Sequence, residues 1–344
     1  MHSLPVSVVI PAFNSEAYIA EALDSVAQQT LPAAEVIVID DGSTDRTAQI
    51  AGWLGAKVIR QQNLGVSEAR NAGVRAATQP WIAFLDSDDC WFPEKLELQW
   101  RALQGCPEAG FCFGDWAIFD EKGTRFTQSL TRVPSYLEVS RKATEPPLVC
   151  CERHSLARRH LAGNFIAMST LLVRKDLLLA AGLFDVNLSM AEDRDLEMRL
   201  MTISTAAVVE RPVLRYRLHS GGASSNQIKM LLGRCAVADK VFAQPAAYPE
   251  GAVAYFRAEK PRLLRKAGVL MMEQGNFTGA ARILRDSLRG RYAPLTHAYY
   301  VAARAFSLPA GRALYRAVRG LQHVLKKNQP ANGLSEEIVR SAKA

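Results

Sequence analysis

Residues 81–89 read Trp-Ile-Ala-Phe-Leu-Asp-Ser-Asp-Asp. The five apolar residues at its start are typical of a buried strand in a parallel sheet. The strand ends in Asp86, Asp88 and Asp89, which would be very costly to bury without partners. Because alternate residues of an extended segment face the same side, Asp86 and Asp88 can turn toward one divalent cation. The alternative is a polar loop in which Asp88 or Asp89 caps the following helix.

Strands and helices alternate on both sides of this stretch. Strands are predicted at residues 6–10, 35–39, 57–60, 81–85 and 111–113. Amphipathic segments between them predict helices near residues 14–27, 43–54, 67–76 and 93–104. This order favours a parallel sheet covered by helices. Ligands of such sheets bind beyond the carboxyl ends of the strands, where residues 11–14, 40–43 and 86–89 lie. The sequence therefore predicts a site built from these three polar segments.

The pattern weakens after residue 116. A hairpin turn is predicted at 121–123. Residues 130–160 show no clear period and predict a flexible loop near the site. Further strands are predicted at 169–173, 208–210 and 214–218, with helices after residue 176 and from about 190 to 201. From about residue 227 to 327 the sequence predicts helices, and residues 275–284 resemble a single tetratricopeptide-like helix pair.

Positive charge is concentrated near the end of the chain. The whole chain has a net charge of +8, whereas residues 257–327 carry fifteen Lys or Arg against three acidic residues. This asymmetry indicates an anionic partner surface. Residues 291–327 contain seven Lys or Arg and no acid, which fits an interfacial helix on an anionic membrane. The alternative is a solvated basic face packed on the main domain. Nucleic acid is not expected, because no recognisable binding module is present.

Several features predict a cytoplasmic protein, which could also lie at the inner face of the cytoplasmic membrane. No run reaches the ~18 apolar residues that a membrane span requires. The first residues lack the basic and apolar segments of a signal peptide. The six cysteines show no metal-ligand spacing, which predicts small, buried thiols in a reducing compartment. They are Cys90, Cys106, Cys112, Cys150, Cys151 and Cys235.

Six segments, taken in order, resemble family 2 glycosyltransferases of the GT-A fold. They are Val-Val-Ile-Pro-Ala-Phe-Asn (8–14), Val-Ile-Asp-Asp-Gly-Ser-Thr-Asp (38–45), Asn-Leu-Gly-Val-Ser-Glu-Ala-Arg-Asn-Ala-Gly (63–73), Phe-Leu-Asp-Ser-Asp-Asp (84–89), Gly-Leu-Phe-Asp (182–185) and Ala-Glu-Asp-Arg-Asp-Leu-Glu-Met-Arg-Leu (191–200). The resemblance implies an α/β, Rossmann-like and mostly parallel sheet flanked by helices. It places the catalytic domain at 1–226, with a nucleotide-sugar half at about 1–115 and an acceptor half at 116–226. A basic helical region follows at 227–344.

The resemblance also implies an activity. A sugar would pass from a nucleotide-diphosphate sugar, expected to be a UDP-sugar, to a hydroxyl group with inversion at the anomeric carbon. The family pattern assigns donor binding to Pro11, Ala12, Asn14, Glu16, Asp41, Arg70 and Asp86. A carboxylate can accept a hydrogen bond from a pyrimidine N–H, and a guanidinium fits phosphate oxygens. For Arg70 the alternative is a surface salt bridge.

Asp86-Ser87-Asp88 matches the family's D-x-D motif. The match implies that Asp88 binds Mn²⁺ or Mg²⁺ and that Asp86 faces the ribose and the metal. A cation there would stabilise the charge that gathers on the leaving diphosphate. His219 resembles a late family histidine near the metal or diphosphate, although a structural histidine is the alternative. Asp89 is interpreted as structural.

Inversion by direct displacement requires a base for the acceptor hydroxyl. The family motif assigns this base to the Glu192-Asp193 pair, and Asp193 is favoured over Glu192. The alternative for either residue is a carboxylate that the dipole of a helix N-terminus stabilises.

The sequence departs from the family pattern in ways that leave the identity of the acceptor undetermined. Residues 115–165 match no subfamily that we can place, and the processive Q-x-x-R-W signature is absent, which favours addition of one sugar per encounter. Glycan or lipid-linked acceptors of polysaccharide, lipopolysaccharide or glycoconjugate assembly are expected. A sugar nucleotidyltransferase would carry a Gly-rich basic loop where this chain has Pro-Ala-Phe-Asn. A scaffold with a degenerate transferase domain is opposed by the presence of Asp88 and Asp193.

Overall fold

A computed structural model of the protein describes residues 3–219, 221–222, 226–288 and 294–308. Within them an eleven-stranded sheet has the order β3-β2-β1-β4-β10-β6-β11-β9-β8, with β5 paired to β11 and β7 paired to β6. The strands are β1 Leu4–Ala12, β2 Ala33–Asp40, β3 Lys57–Arg60, β4 Trp81–Phe84, β5 Cys90–Trp91, β6 Ala109–Asp120, β7 Gly123–Phe126, β8 Arg141–Glu145, β9 Leu148–Cys151, β10 Leu172–Arg174 and β11 Thr205–Arg217.

Helices flank the sheet and continue beyond it. In the described residues they are α1 Ile19–Ala27, α2 Thr47–Trp53, α3 Val66–Ala76, α4 Lys95–Gln104, α5 Pro134–Leu137, α6 Arg153–Ala162, α7 Lys175–Ala180, α8 Glu192–Ile203, α9 Gln227–Ala243, α10 Ala252–Glu273, α11 Phe277–Ser287 and α12 Pro294–Ser307. The prediction of an α/β fold with a helix-flanked central sheet and C-terminal helices is confirmed. None of the helices described is both long and apolar enough to cross a bilayer.

The long strands of the sheet run in one direction. β1 is parallel to β2 and β4, β2 is parallel to β3, and β6 is parallel to β11. β10 lies antiparallel between β4 and β6, so these two neighbours also run the same way. The sheet is therefore mixed, although its long strands are parallel as predicted. Their carboxyl ends meet at one edge, where the three polar segments of the sequence lie.

The prediction of a flexible loop over residues 130–160 is wrong. This segment forms α5, the β8–β9 hairpin and most of α6. Its elements are short and β8 is largely exposed, which explains the missing periodicity. The predicted strands at 208–210 and 214–218 are a single strand, β11, whose register shifts around Pro212. Proline lacks the N–H that a regular ladder requires, and a bulge accommodates it.

Helix α3 packs closely against β1. A Cβ atom added to Gly73 would lie 2.3 Å from Val9 Cγ1, so only glycine permits this approach. Val9 and Val74 are fully buried in the same apolar cluster. The contact holds α3 against the sheet and fixes the position of the side chains at its start.

One cysteine pair departs from the prediction of separate thiols. Cys106 and Cys150 form a disulfide, with their Cα atoms 5.7 Å apart. Sequence spacing did not show this pair, since 44 residues separate the two cysteines and only the packing of α4 against β9 brings them together. The other four cysteines are buried and form no disulfide with the residues described.

The chain divides into two compact units, Met1–Lys260 and Pro261–Ala344. The first unit includes α9 and the start of α10, where Val237, Val241 and Phe256 pack with Leu161 and Met198. α9 therefore packs its apolar side against α8 and α6, and the predicted division at residue 226 stays a prediction. Of the predicted interfacial segment 291–327, residues 294–307 form α12 and residues 309–327 lie outside the described residues.

We predict that Gly73→Ala lowers the free energy of unfolding by about 1–3 kcal/mol, because the new methyl group must displace Val9 or the helix. Chemical denaturation of the full chain measures the effect. Gly52→Ala is the matched control, since Gly52 lies in α2 and a Cβ added to it would meet no neighbouring atom within 4 Å. Equal stabilities of the two variants would contradict the close packing of α3.

Candidate active site

A cavity of about 630 Å³ opens at the carboxyl ends of the parallel strands. Nine of the eleven side chains that the sequence singled out line it. They are Pro11, Ala12, Asn14, Asp41, Arg70, Asp86, Asp88, Glu192 and His219. Sequence reasoning missed Phe13, Tyr18 and Val66, which also line the cavity. Phe13 and Val66 belong to the segments 8–14 and 63–73 that predicted the site. Membership of these segments was therefore the signal that could have identified them.

Asn14 joins the first two polar segments. Its backbone adopts the left-handed conformation with φ of 48°, which asparagine tolerates better than most residues. Its side-chain oxygen accepts a hydrogen bond from the Thr44 N–H at 2.9 Å. The Asn14 N–H donates to Ser43 Oγ, also at 2.9 Å. The turn after β1 is therefore locked to the turn after β2.

Asp41 holds the loop that leads into α3. The side chain is buried, and its oxygens accept from the N–H groups of Leu64 and Gly65, each at 2.9 Å. A third hydrogen bond comes from Gln61 Nε2 at 2.7 Å. Gly65 has φ of 90°, which suits glycine at this turn. The carboxylate thus positions one wall of the cavity, and the Asp41 side chain reaches its surface.

Glu16 is not brought into the cavity. Its carboxylate accepts from the Arg46 N–H at 2.8 Å and pairs with the Arg46 guanidinium at 3.2 Å. The backbone hydrogen bond and the guanidinium lower the pKa of Glu16. The residue therefore fastens the turn after β1 to the start of α2, outside the cavity lining.

Arg70 lies at the centre of the site. It belongs to α3, and only 4% of the residue is exposed. One guanidinium nitrogen donates to Asp86 Oδ1 at 2.7 Å, and another donates to Glu192 Oε1 at 2.8 Å. Although burial opposes its charge, the two carboxylates raise the pKa of Arg70, so it stays protonated. The alternative of a surface salt bridge does not apply, because the guanidinium itself is buried and joins α3, residues 86–89 after β4 and α8.

Ser169 and Arg217 hold the acidic loop that follows β4, residues 86–89, through hydrogen bonds. Ser169 Oγ accepts from the Asp86 N–H at 3.0 Å and donates to Asp89 Oδ2 at 2.7 Å. The Arg217 N–H donates to Asp89 Oδ1 at 2.9 Å, and Arg217 Nε donates to the Asp88 carbonyl at 2.7 Å. Asp89 is 1% exposed, and burial next to Asp88 and Asp86 raises its pKa. It orders the loop and is not part of the cavity lining.

Asp88 meets His219, which follows β11. Asp88 Oδ2 lies 2.8 Å from His219 Nε2, and the imidazole ring contacts Tyr18 with ring centroids 5.0 Å apart. Two carboxylates and an imidazole are suitable ligands for Mn²⁺, and the carboxylates suit Mg²⁺.

The potential ligand atoms of Asp86, Asp88 and His219 do not all lie within 4.8 Å of one another. In the part of the chain that the structure describes, the group of three potential ligands within 4.8 Å of one another is Cys106, Glu108 and Cys150, two of which form the disulfide. The donor set at the cavity therefore fits a divalent cation that takes its remaining ligands from water or from a bound diphosphate.

Asp193 and Glu192 begin α8, after Ala191 with φ of 63°. Burial and the neighbouring Glu192 and Glu197 raise the pKa of Asp193 to about 8. Its carboxylate accepts a hydrogen bond from the Arg194 N–H at 2.7 Å. Asp193 is half-buried and is not among the residues that line the cavity, whereas Glu192 lines it and is paired with Arg70. The two neighbours therefore differ: Glu192 is held as an ion pair, and Asp193 is the stronger base.

A buried pair lies behind the start of α8. His160 Nε2 and Glu197 Oε2 are 3.1 Å apart, and both side chains are inaccessible to solvent. Burial raises the pKa of Glu197 to about 8, and burial together with Arg194 lowers the pKa of His160 well below its usual value. Burial therefore favours the uncharged forms of both groups. Sequence reasoning gave no signal for this pair.

The chain is similar in sequence to known glycosyltransferases. Residues 7–164 match the family model described as glycosyl transferase family 2. An uncharacterized glycosyltransferase of Haemophilus influenzae is 30% identical over 199 residues, which cover 57% of this chain and 61% of that protein. Another, from Rickettsia prowazekii, is 27% identical over 67% of this chain and 69% of its own length. The alignment with the Haemophilus protein thus spans about three fifths of that relative.

Solved structures show the same fold at low sequence identity. The structure of S. aureus TarS residues 1–349 in complex with UDP has a TM-score of 0.57 and 20% identity, over 88% of this chain and 91% of that chain. A mannosyltransferase from Pyrobaculum calidifontis, in complex with GDP-Man and Mn²⁺, has a TM-score of 0.55 and 17% identity, over 91% of this chain and 84% of that one.

We predict that Ser169→Ala destabilises the protein by about 1–3 kcal/mol, because buried Asp89 loses a donor and the Asp86 N–H loses its acceptor. Equilibrium unfolding of the full chain measures the change. Ser129→Ala is the matched control, since the Ser129 hydroxyl is also buried but has no hydrogen-bond partner among the described residues. If both variants unfold alike, Ser169 does not order the acidic loop.

Proposed function

We propose that this chain, which carries a glycosyl transferase family 2 domain over residues 7–164, transfers one sugar from a nucleotide-diphosphate sugar to a hydroxyl group with inversion at the anomeric carbon. The observation that carries the proposal is the buried Arg70 bridge. One guanidinium joins Asp86 of the D-x-D motif to Glu192, the neighbour of the proposed base. The residues that bind the donor and the residue that acts as the base would therefore be held in a fixed arrangement.

The proposed donor is a UDP-sugar. Pro11, Ala12, Asn14 and Asp41 form the wall that would receive the base and ribose. Asp41 already accepts three hydrogen bonds from the protein, and a carboxylate has about four acceptor sites, which leaves one for a pyrimidine N–H. UDP in the TarS structure and GDP-Man in the mannosyltransferase structure support nucleotide-sugar binding by this fold. Glu16 has no part in the proposed pocket.

Asp88, Asp86 and His219 would hold Mn²⁺ or Mg²⁺. When bound, the cation would neutralise the charge that develops on the leaving nucleoside diphosphate. Arg70 engages one oxygen of Asp86, and the second oxygen accepts no hydrogen bond from the residues described. Asp88 and His219 contact each other directly and reach the cavity together. The Mn²⁺ in the mannosyltransferase structure supports a divalent cation here.

Asp193 would take the proton of the acceptor hydroxyl. A carboxylate of raised pKa is a better proton acceptor than an ordinary aspartate, provided that it is deprotonated. Arg70 is paired with Glu192, and the neighbouring Glu192 contributes to the raised pKa of Asp193. A diphosphate leaving group needs no general acid.

The acceptor is proposed to be a glycan or lipid-linked hydroxyl in cell-surface polysaccharide, lipopolysaccharide or glycoconjugate synthesis. The absence of the processive signature supports addition of a single sugar. Association of residues 291–327 with the inner face of the cytoplasmic membrane stays a prediction, as does the division at residue 226. A scaffold function is less well supported, because the cavity retains its carboxylates, its guanidinium and its imidazole together.

We predict that Asp193→Asn lowers kcat by about 10²–10⁴-fold, because the amide cannot accept the hydroxyl proton. In the native protein kcat should rise with pH up to about 8 and level off above it, since protonated Asp193 is inactive as a base. The variant should lose this dependence. Steady-state kinetics across pH, with the donor and acceptor found by screening, measure both effects.

Asp176→Asn is the control, since Asp176 is exposed, is paired with Arg174 and does not line the cavity. Binding of UDP should be the same in the native protein and in both variants. Full activity of Asp193→Asn, or an unchanged pH profile, would assign the proton transfer to another group.

A further inference from the structure

The second compact unit contains two packed helices, α11 and α12. Ala280 and Leu284 of α11 share a small apolar cluster with Ala303 of α12. Gly268 of α10 lies so close to Leu284 that an added Cβ would be 2.6 Å from Leu284 Cγ. These contacts fix the helices of this unit relative to one another and leave the other sides of α11 and α12 exposed.

Polar residues at helical spacing line a cleft between the two helices. Thr278, Arg282 and Arg285 follow one another on one side of α11 at positions i, i+4 and i+7, as do Tyr300, Arg304 and Ser307 on α12. All six line one cavity of about 240 Å³. The arrangement brings three guanidinium groups from two helices to a common space.

No carboxylate of the described residues lines this cavity. Arg282 and Arg304 form no ion pair within the same part of the chain, and Arg285 has only a distant partner in Asp286, with 3.9 Å between Arg285 Nε and the nearest carboxylate oxygen. Like charges around one cleft repel each other unless an anion enters. The helix packing holds the three arginines around one cavity, and the described residues that line it supply no counter-charge.

We propose that the α11–α12 cleft binds a phosphoryl group, either of a soluble phosphate compound or of a lipid headgroup. Guanidinium groups match phosphate oxygens with paired, charge-assisted hydrogen bonds. Thr278 and Tyr300, which also line the cavity, add hydroxyl donors. The volume is too small for a drug-sized ligand and suits a phosphate or diphosphate. The cleft is separate from the proposed active site and does not depend on the proposed reaction.

A local phosphoryl site differs from general attraction to a basic surface. The described part of the second unit carries six Lys or Arg residues, and three of them line the cleft. The remaining three, Arg262, Arg265 and Lys266, lie on α10. General attraction would depend on every cation of the unit, whereas a phosphoryl site depends on the three arginines of the cleft.

The test compares two double variants of the full chain that lose the same charge. Arg282→Gln/Arg304→Gln removes two guanidiniums from the cleft, and Arg265→Gln/Lys266→Gln removes two cations elsewhere on the unit. Binding of inorganic pyrophosphate is measured by calorimetry. Co-sedimentation is measured with phosphatidylcholine vesicles that contain phosphatidic acid. Circular dichroism checks that each variant is folded.

The cleft variant should lose binding by at least about tenfold, and the α10 variant should bind like the native protein. Loss of pyrophosphate binding would identify a soluble phosphate ligand, and loss confined to vesicle binding would identify a lipid headgroup. Equal losses in the two variants would overturn the proposal in favour of diffuse charge attraction. Absence of binding to both probes by the native protein would also overturn it.

Discussion

The site depends on one buried guanidinium. Arg70 pairs with Asp86 and Glu192, which come from distant segments of the chain. Removing one member of a buried pair of this kind typically costs about 3–5 kcal/mol, because an uncompensated charge stays behind. The bridge is possible only because α3 lies close to β1, and that approach requires a glycine at position 73. Packing in the core thus sets the electrostatics of the cavity.

The acidic residues around the cavity fall into two groups according to their protein partners. Asp41 and Asp89 accept two or more hydrogen bonds from the protein, and they order the loops that form the walls. Asp86 and Asp88 each retain an oxygen that accepts no hydrogen bond from the described residues, and both face the open space. The fold therefore uses carboxylates both to build the cavity and to line it, and Asp41 does both.

Much of the site could be predicted from the sequence, because motifs at the carboxyl ends of parallel strands meet at one edge whatever the details of packing. The segments at 11–14, 40–43 and 86–89 all contribute to the cavity or its walls. Glu16 lies outside the cavity lining because it pairs with Arg46, which directly precedes α2, and sequence spacing did not reveal this pair. Hydrophobic periodicity could not reveal the β8–β9 hairpin, whose first strand is exposed, nor the direction of β10. The supporting contacts of Ser169 and Arg217 arise from tertiary packing, for which sequence spacing carries no signal.

The most direct test of a nucleotide-sugar site is calorimetric titration of the full chain with UDP, GDP and dTDP, with and without Mn²⁺, repeated on Asp88→Ala. We predict that UDP binds, that Mn²⁺ strengthens binding, and that the variant loses the effect of the metal because a ligand of the cation is gone. Failure of the folded native protein to bind any of the three nucleotides would contradict a nucleotide-sugar site in this cavity.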